Sequence, residues 1–274
     1  MYNEIKKIEK IFVINLKSRP DRKLRMQQLL SSLFDALDMK IKVTFFPAID
    51  ARNITKNYLK TRGFRLFENW VIPKGAKIPY YKRGLFTREW AHALNYLYKR
   101  GFLKGEIACA LSHYFVWKKI KKEKIKRALI LEDDSACKTS LKLFIKRLES
   151  SFRTLKKKEP DWDFLYLCSV KAMPDRYSLT HNLVAPSYSY CLAAYVLVER
   201  GVNKLLNANM QKNIVPVDEF IPALYCQHPR KDIDKLFGTC ERLRAFAVEP
   251  NLLYQCEAGK DGDIETSEIY RQSK

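Results

Sequence analysis

The stretch that decides the reading is Arg127 to Ala136, RALILEDDSA. Four apolar residues, Ala128 to Leu131, run straight into Glu132, Asp133 and Asp134, the pattern of a buried strand that ends in a cleft. Three adjacent carboxylates at one strand end repel one another unless a cation, a base or protonation relieves them. A hard divalent cation does this with oxygen ligands, often only one or two of them from protein, and leaves its other positions to water and phosphate. The segment is therefore expected to hold Mg²⁺ or Mn²⁺ against a nucleotide diphosphate, with Asp134, Asp133 and Glu132 as candidate ligands. The competing reading is a strand running into a solvated acidic turn, and the flanking chain has to decide between them.

On the N-terminal side, KIFVINL at 10–16 is a β-branched and aromatic run that stops at KSRPDR. Pro20 suits a first helical turn and Asp21 lies well near its dipole. Met26, Leu29, Leu30, Phe34 and Leu37 then recur at helical spacing. VTFFPAI at 43–49 gives a second strand. This strand-helix-strand opening lacks GxGxxG, which argues against a dinucleotide cradle. Asn15, Arg19 and Arg22 stand in its place as candidates to hold a base, ribose or phosphate, with capping and surface pairing of the first helix as their ordinary role. Residues 52 to 104 mix Pro, Gly, Lys and aromatics, and only TREWAHALNYLYKR at 87–100 is periodic. A helix within an insertion or lid is expected there. His92, on that helix, reads as a packed or surface residue.

GEIACALSHYFVWKKI at 105–120 predicts a helix with Ile107, Ala110, Leu111, Tyr114 and Trp117 on one face. Ser112 and His113, among small and apolar neighbours, are expected to be buried near the sheet; His113 serves either as a core histidine or as support behind the donor site. Beyond the acids, 141–157 predicts a helix and WDFLYL at 162–167 a buried strand. A further buried run falls within 186–198, and a helix follows over 199–206. Pro216 to Phe220 opens a short helix with Asp218 and Glu219 in its first turn, where dipole stabilisation is the ordinary explanation. Residues 243–254 read as a strand pair broken at Pro250, and AGKDGDIETSE at 258–268 as an acidic turn. The alternation describes one α/β domain over 1–274.

At 274 residues with 47% hydrophobic and 12% aromatic content, the chain is globular and not disordered. No apolar run approaches the roughly 20 residues that span a bilayer. Neither MYNEIKKIEKIFVINL nor YRQSK carries a secretory or retention signal. The seven cysteines are odd in number, scattered and without a CxxC pair, which fits reduced thiols and a cytoplasmic location. A net charge of +21 suits an anionic sugar nucleotide, an anionic membrane surface touched peripherally, or nucleic acid. With no helix-turn-helix, zinc finger or RNP signature, no specific nucleic-acid partner is expected. The densest run, KKIKKEKIKR at 118–127, reads as a solvated helix end and loop.

Taken together, FVINLKSRPDR at 12–22, GEIACALSHYFVWK at 105–118, ALILEDD at 128–134, DWDFLYL at 161–167, SYSYCLAAYVL at 187–197, VPVDEFIPALY at 215–225 and AFAVEPNLLYQ at 245–255 resemble glycosyltransferase family 25. This family includes bacterial lipopolysaccharide glycosyltransferases and collagen galactosyltransferases, and the likeness is greatest to the C-terminal catalytic domain of the latter. The resemblance implies a nucleotide-binding α/β fold of the GT-A type, with a mixed, mostly parallel sheet flanked by helices. It implies inverting transfer of a hexose, typically galactose from UDP-galactose, with Mn²⁺. The acceptor it implies is hydroxylysine of collagen-like protein, or a saccharide in the bacterial branch. Carried over by position, Glu132, Asp133 and Asp134 form the metal and nucleotide motif, Asp218 and Glu219 the second acidic pair, and Asn15, Arg19 and Arg22 the nucleotide-proximal opening. Asp218, then Glu219, is the candidate general base. A catalytically silent transferase fold acting as a binding module is the alternative.

Overall fold

A computed structural model describes residues 2–78, 87–137 and 139–256. The expected acidic turn at 258–268 lies outside the described residues. Lys10–Asn15 forms β1, Pro20–Leu37 α1 and Lys42–Pro47 β2. Pro20 opens α1 as expected, and Asp38 closes it in the left-handed conformation (φ 50°). The long helix α4, Lys104–Lys122, follows α2, Lys56–Thr61, and α3, Arg88–Lys99. Glu106 supports the start of α4 by accepting the Leu103 N–H at 2.9 Å, and left-handed Lys124 stands just beyond its end. Strand β3 is Arg127–Glu132, β4 is Ser135–Cys137, and α5 spans Leu141–Lys158. The remaining strands are β5 Phe164–Tyr166, β6 Val170–Lys171, β7 Tyr177–Thr180, β8 Leu183–Ala185, β9 Ser189–Tyr190, β10 Ala194–Val198, β11 Ala245–Val248 and β12 Leu253–Gln255. Helices α6 Glu199–Asn207, α7 Val217–Ala223 and α8 Lys231–Phe237 lie between β10 and β11.

Eight strands form one sheet in the order β2-β1-β3-β10-β5-β11-β8-β7. Only β10 and β8 run against the other six, so the expected mixed α/β sheet is what the chain builds, most of its strands sharing one direction although four of the seven neighbouring pairs are antiparallel, consistent with a GT-A-like fold. Alternation along the strands sends side chains to two cores. Phe12, Ile14, Ala128 and Ile130 face α4, α6 and α7, while Ile11, Val13, Leu129 and Leu131 face α1 and α5. Trp117, fully buried between α4 and the sheet, is a large share of the first core; truncating such a residue to alanine costs about 3–5 kcal/mol.

The described part of the 52–104 segment packs into that same core. Phe64, Phe67, Trp70, Leu94 and Tyr98 are all buried in it, and Trp70 stacks on Phe102 with centroids 4.8 Å apart. Fully buried Arg230 ties the segment down by donating to the Trp70 carbonyl at 2.7 Å and to the Asn69 carbonyl. Just before β5, buried Asp163 accepts from Arg200 and Lys204 of α6, each at 2.7 Å. Gly201 makes that approach possible, since a Cβ there would lie 2.6 Å from the Asp163 carbonyl oxygen. Among the described residues no helix is long and apolar enough to cross a membrane.

Candidate active site

The parallel pairing of β1 with β3 sets Ile14 beside Glu132, and the Asp133 N–H continues the ladder onto the Ile14 carbonyl at 3.1 Å. The C-terminal ends of both strands therefore emerge together. Strand β10 begins at the same edge, because it runs antiparallel and Ala194 pairs with Leu131; the Glu132 N–H donates to the Ala193 carbonyl at 2.8 Å. Three segments far apart in sequence thus meet where the apolar run of β3 gives out.

The three acids leave this strand end in different directions, and their surroundings differ accordingly. Asp133 turns toward the first helix and is buried. Asn15 donates to one of its oxygens at 2.7 Å and Arg22 to the other at 3.0 Å, while Arg25 reaches its backbone carbonyl at 3.4 Å. Burial raises the Asp133 pKa against the pull of these two partners. Of the opening-segment residues, Asn15 and Arg22 join the acidic site. The Arg19 guanidinium instead pairs with Asp21 at 2.8 Å, and its carbonyl accepts from Asn15 at 3.1 Å. The part played by Arg25 carried no signal beyond its place one helical step after Arg22.

Glu132 is oriented from behind. Its Oε1 lies 3.0 Å from His113 Nε2 and 3.6 Å from the Cys109 sulfur. His113 Nδ1 lies 2.9 Å from the Tyr195 hydroxyl, which also accepts the Trp117 indole N–H at 2.9 Å. His113 is fully buried, as expected, and it contacts the acidic motif directly. Cys109 and His113, one helical turn apart on α4, join Glu132 to place one sulfur, one nitrogen and one oxygen within 4.8 Å of one another. Their i, i+4 spacing was the available signal for this group.

Asp134 is buried, and Gln255 of β12 donates to its Oδ2 at 3.0 Å. Its Oδ1 is buried and has no hydrogen-bond partner among the described residues. Burial first, then the charge of Glu132, push its pKa up to about 7. Asp218, in the first turn of α7, accepts the backbone N–H of Cys191 at 3.0 Å. Withdrawal from water and then the Glu132 charge push it, too, up to about 7. The Cys109 thiol is pushed well above its usual range by burial, and then by the charges of Glu132, Asp218 and Asp134. The two acidic motifs are therefore electrostatic neighbours across the sheet edge.

Glu219 faces the other way, into the core, and is fully buried. Tyr98 donates to it at 2.6 Å, Tyr188 at 2.7 Å, and Tyr190 at short range. His228 Nε2 lies 3.0 Å from the same carboxylate. Burial works to raise its pKa, but the contacts with His228, Tyr190 and Tyr98 hold it below the usual carboxylate range. These four partners come from three separate segments, Tyr98 of α3, Tyr188 and Tyr190 at β9, and His228.

The donor set fits a hard cation. Asp134 offers an unmatched buried oxygen, and a positive charge beside it would favour its ionised form against the burial that raises its pKa. The Cys109, His113 and Glu132 group is softer, a combination suited to zinc-like metals. As arranged, its atoms are joined by hydrogen bonds.

A profile described as Glycosyltransferase family 25 (LPS biosynthesis protein) matches residues 8–221. Procollagen galactosyltransferase 1-B of Xenopus laevis is 33% identical over 271 residues, covering 96% of this chain and 39% of its own length. Procollagen galactosyltransferase 2 of Homo sapiens is 31% identical over 270 residues, with 96% and 38% covered. A Bos taurus protein named probable inactive glycosyltransferase 25 family member 3 is 30% identical over 266 residues, with 94% and 39% covered. The chain thus spans about two fifths of the length of the curated relatives it matches.

Proposed function

Because the chain belongs to glycosyltransferase family 25, we propose that it transfers a hexose, galactose from UDP-galactose in the first instance, to a hydroxyl of collagen-like protein, with inversion at the anomeric carbon. The names of its relatives support the donor sugar and acceptor. The observation that carries the reading is the buried Asp134, with an unmatched Oδ1, beside Glu132 at the C-terminal end of β3, with Asp218 within reach of the Glu132 charge.

Glu132 and Asp134 would hold Mn²⁺ there. When bound, the ion offsets charge developing on the departing diphosphate. Asp218 accepts the proton of the acceptor hydroxyl as that oxygen attacks the anomeric carbon from the face opposite UDP; its raised pKa suits a group that must keep the proton it takes. Asp133, with both oxygens engaged by Asn15 and Arg22, braces the strand end and sets the direction of its neighbours. Glu219 braces α7, and with it Asp218, from the core side.

UDP release from a panel of UDP-sugars, with and without Mn²⁺ and with and without a hydroxylysine-containing collagen peptide, tests the reading. Peptide-stimulated, Mn²⁺-dependent release from UDP-galactose is expected. Stimulation by a saccharide and not by peptide would move the acceptor to the lipopolysaccharide-type reading that the family description favours. A chain that binds no UDP in Mn²⁺ would lose the transferase reading and join the relatives named inactive.

A further inference from the structure

We infer that Cys168 and Cys191 form a reversible disulfide that couples thiol redox state to Asp218. The two sulfurs lie 3.2 Å apart, only about 1.2 Å beyond a disulfide bond length. Both cysteines are free thiols here. Their places in the fold make the pairing repeatable. Cys168 follows β5, and its N–H donates to the Ala194 carbonyl of β10 at 3.2 Å. Cys191 stands just before β10, which pairs antiparallel with β5. The sulfurs are thus held together by the sheet and do not depend on a chance loop encounter.

Cys191 also carries the link to the site. Its backbone adopts φ 77°, a left-handed conformation that a non-glycine residue keeps only where its surroundings impose it. Its N–H donates to Asp218 Oδ1 at 3.0 Å. Cys168 is enclosed at 2% exposure, so the movement needed to close the bond falls on half-buried Cys191. The amide that holds Asp218 moves with it.

The oxidant is a small disulfide such as glutathione disulfide. The Cys191 thiolate attacks one of its sulfurs, a protein–glutathione disulfide forms, and one glutathione leaves as thiolate. The Cys168 sulfur then attacks Cys191 Sγ, the intramolecular bond forms, and the second glutathione leaves. Two electrons pass from the cysteine pair to glutathione disulfide, and the two thiol protons end on the two glutathione thiols. The partner sulfur, burial and the nearby Asp218 charge keep Cys191 protonated, which makes the exchange slow.

The folded chain is incubated with glutathione disulfide, quenched in acid, alkylated and mapped by mass without reduction. A Cys168–Cys191 cross-linked peptide is expected, lost with dithiothreitol and absent from Cys168→Ala. Alkylation of both thiols after oxidation, or a dominant linkage among Cys109, Cys137, Cys226, Cys240 and Cys256, overturns the pairing. The coupling to Asp218 rests on the transferase reading and has its own readout. UDP-sugar turnover should fall at least fivefold on oxidation and return with dithiothreitol, while Cys168→Ala matches wild-type turnover in dithiothreitol and loses it on oxidation only in proportion to the Cys191–glutathione adduct seen in the mass map. A linked chain with unchanged turnover overturns the coupling. A reduced chain with no turnover sinks the transferase reading instead, and the mass map still decides the linkage.

Discussion

His113 Nε2 stands 3.0 Å from the Glu132 carboxylate, so the acid that closes β3 is held by a residue of the helix packed beneath it. The chain of contacts continues through Tyr195 to Trp117, which anchors the orientation in the core. Replacing His113 by phenylalanine preserves bulk but leaves Glu132 and the Tyr195 hydroxyl without this partner. We expect Mn²⁺ affinity or turnover to drop about 10–100-fold, the usual cost of losing a group behind a metal ligand. Manganese titration of UDP binding checks it, with circular dichroism to show a native fold; an unchanged Mn²⁺ midpoint and turnover would refute the role.

Asp218 and Glu219 are adjacent in sequence and should fail in opposite ways. Asp218→Asn is expected to lower turnover about 10²–10⁴-fold while leaving UDP binding and the urea midpoint close to wild type. Glu219→Ala removes the acceptor shared by Tyr98, Tyr188, Tyr190 and His228. Stranding these buried groups should cost about 3–5 kcal/mol of stability. Urea unfolding and turnover measured on both variants separate the two outcomes.

The raised acids make stability depend on pH in a direction opposite to that of a salt-bridged carboxylate. Asp134 and Asp218 are pushed from an ordinary 3.8 up to about 7, so between those values the folded chain binds more protons than the unfolded one. In chelator, their contribution to stability is full below about pH 4, declines as pH rises toward 7, and is lost above it. Both acids give up stability across that window as they ionise in the folded chain. A divalent cation favours the ionised forms. Mn²⁺ should therefore raise the melting temperature more at pH 8 than at pH 5, and equal increases at both would contradict the assignment of Asp134 as a ligand.

Asp133 is held by Arg22 as well as by Asn15. The pair is buried on both sides, at 3.0 Å, so Arg22→Met leaves an uncompensated carboxylate at the strand end. A loss of about 3–5 kcal/mol in urea unfolding is expected. The double variant Arg22→Met with Asp133→Asn should recover part of it, and absence of recovery would show that the two residues act independently.

Much of this protein is determined by its sequence alone. Alternating apolar strands and amphipathic helices, Pro20 at the first turn of α1 and the abrupt change from Leu131 to Glu132 are local signals, set by side-chain periodicity and backbone preference. They suffice to place β1, β2, β3, β5, β10 and β11, the long helix beneath them and the acids at a strand end, whereas the short strands β7 and β8 at the far side of the sheet carried no such pattern. The different fates of the acids were decided by tertiary structure. Glu132 meets His113 because β3 lies over α4, Asp133 meets Asn15 because β3 pairs with β1, and Asp134 keeps one oxygen unmatched beside Gln255. Asp218 and Glu219 differ by one position on α7, yet one comes under the field of Glu132 and the other is enclosed by three tyrosines and His228. Burial and electrostatic environment belong to the packed chain, since they depend on segments that meet only when the sheet has formed.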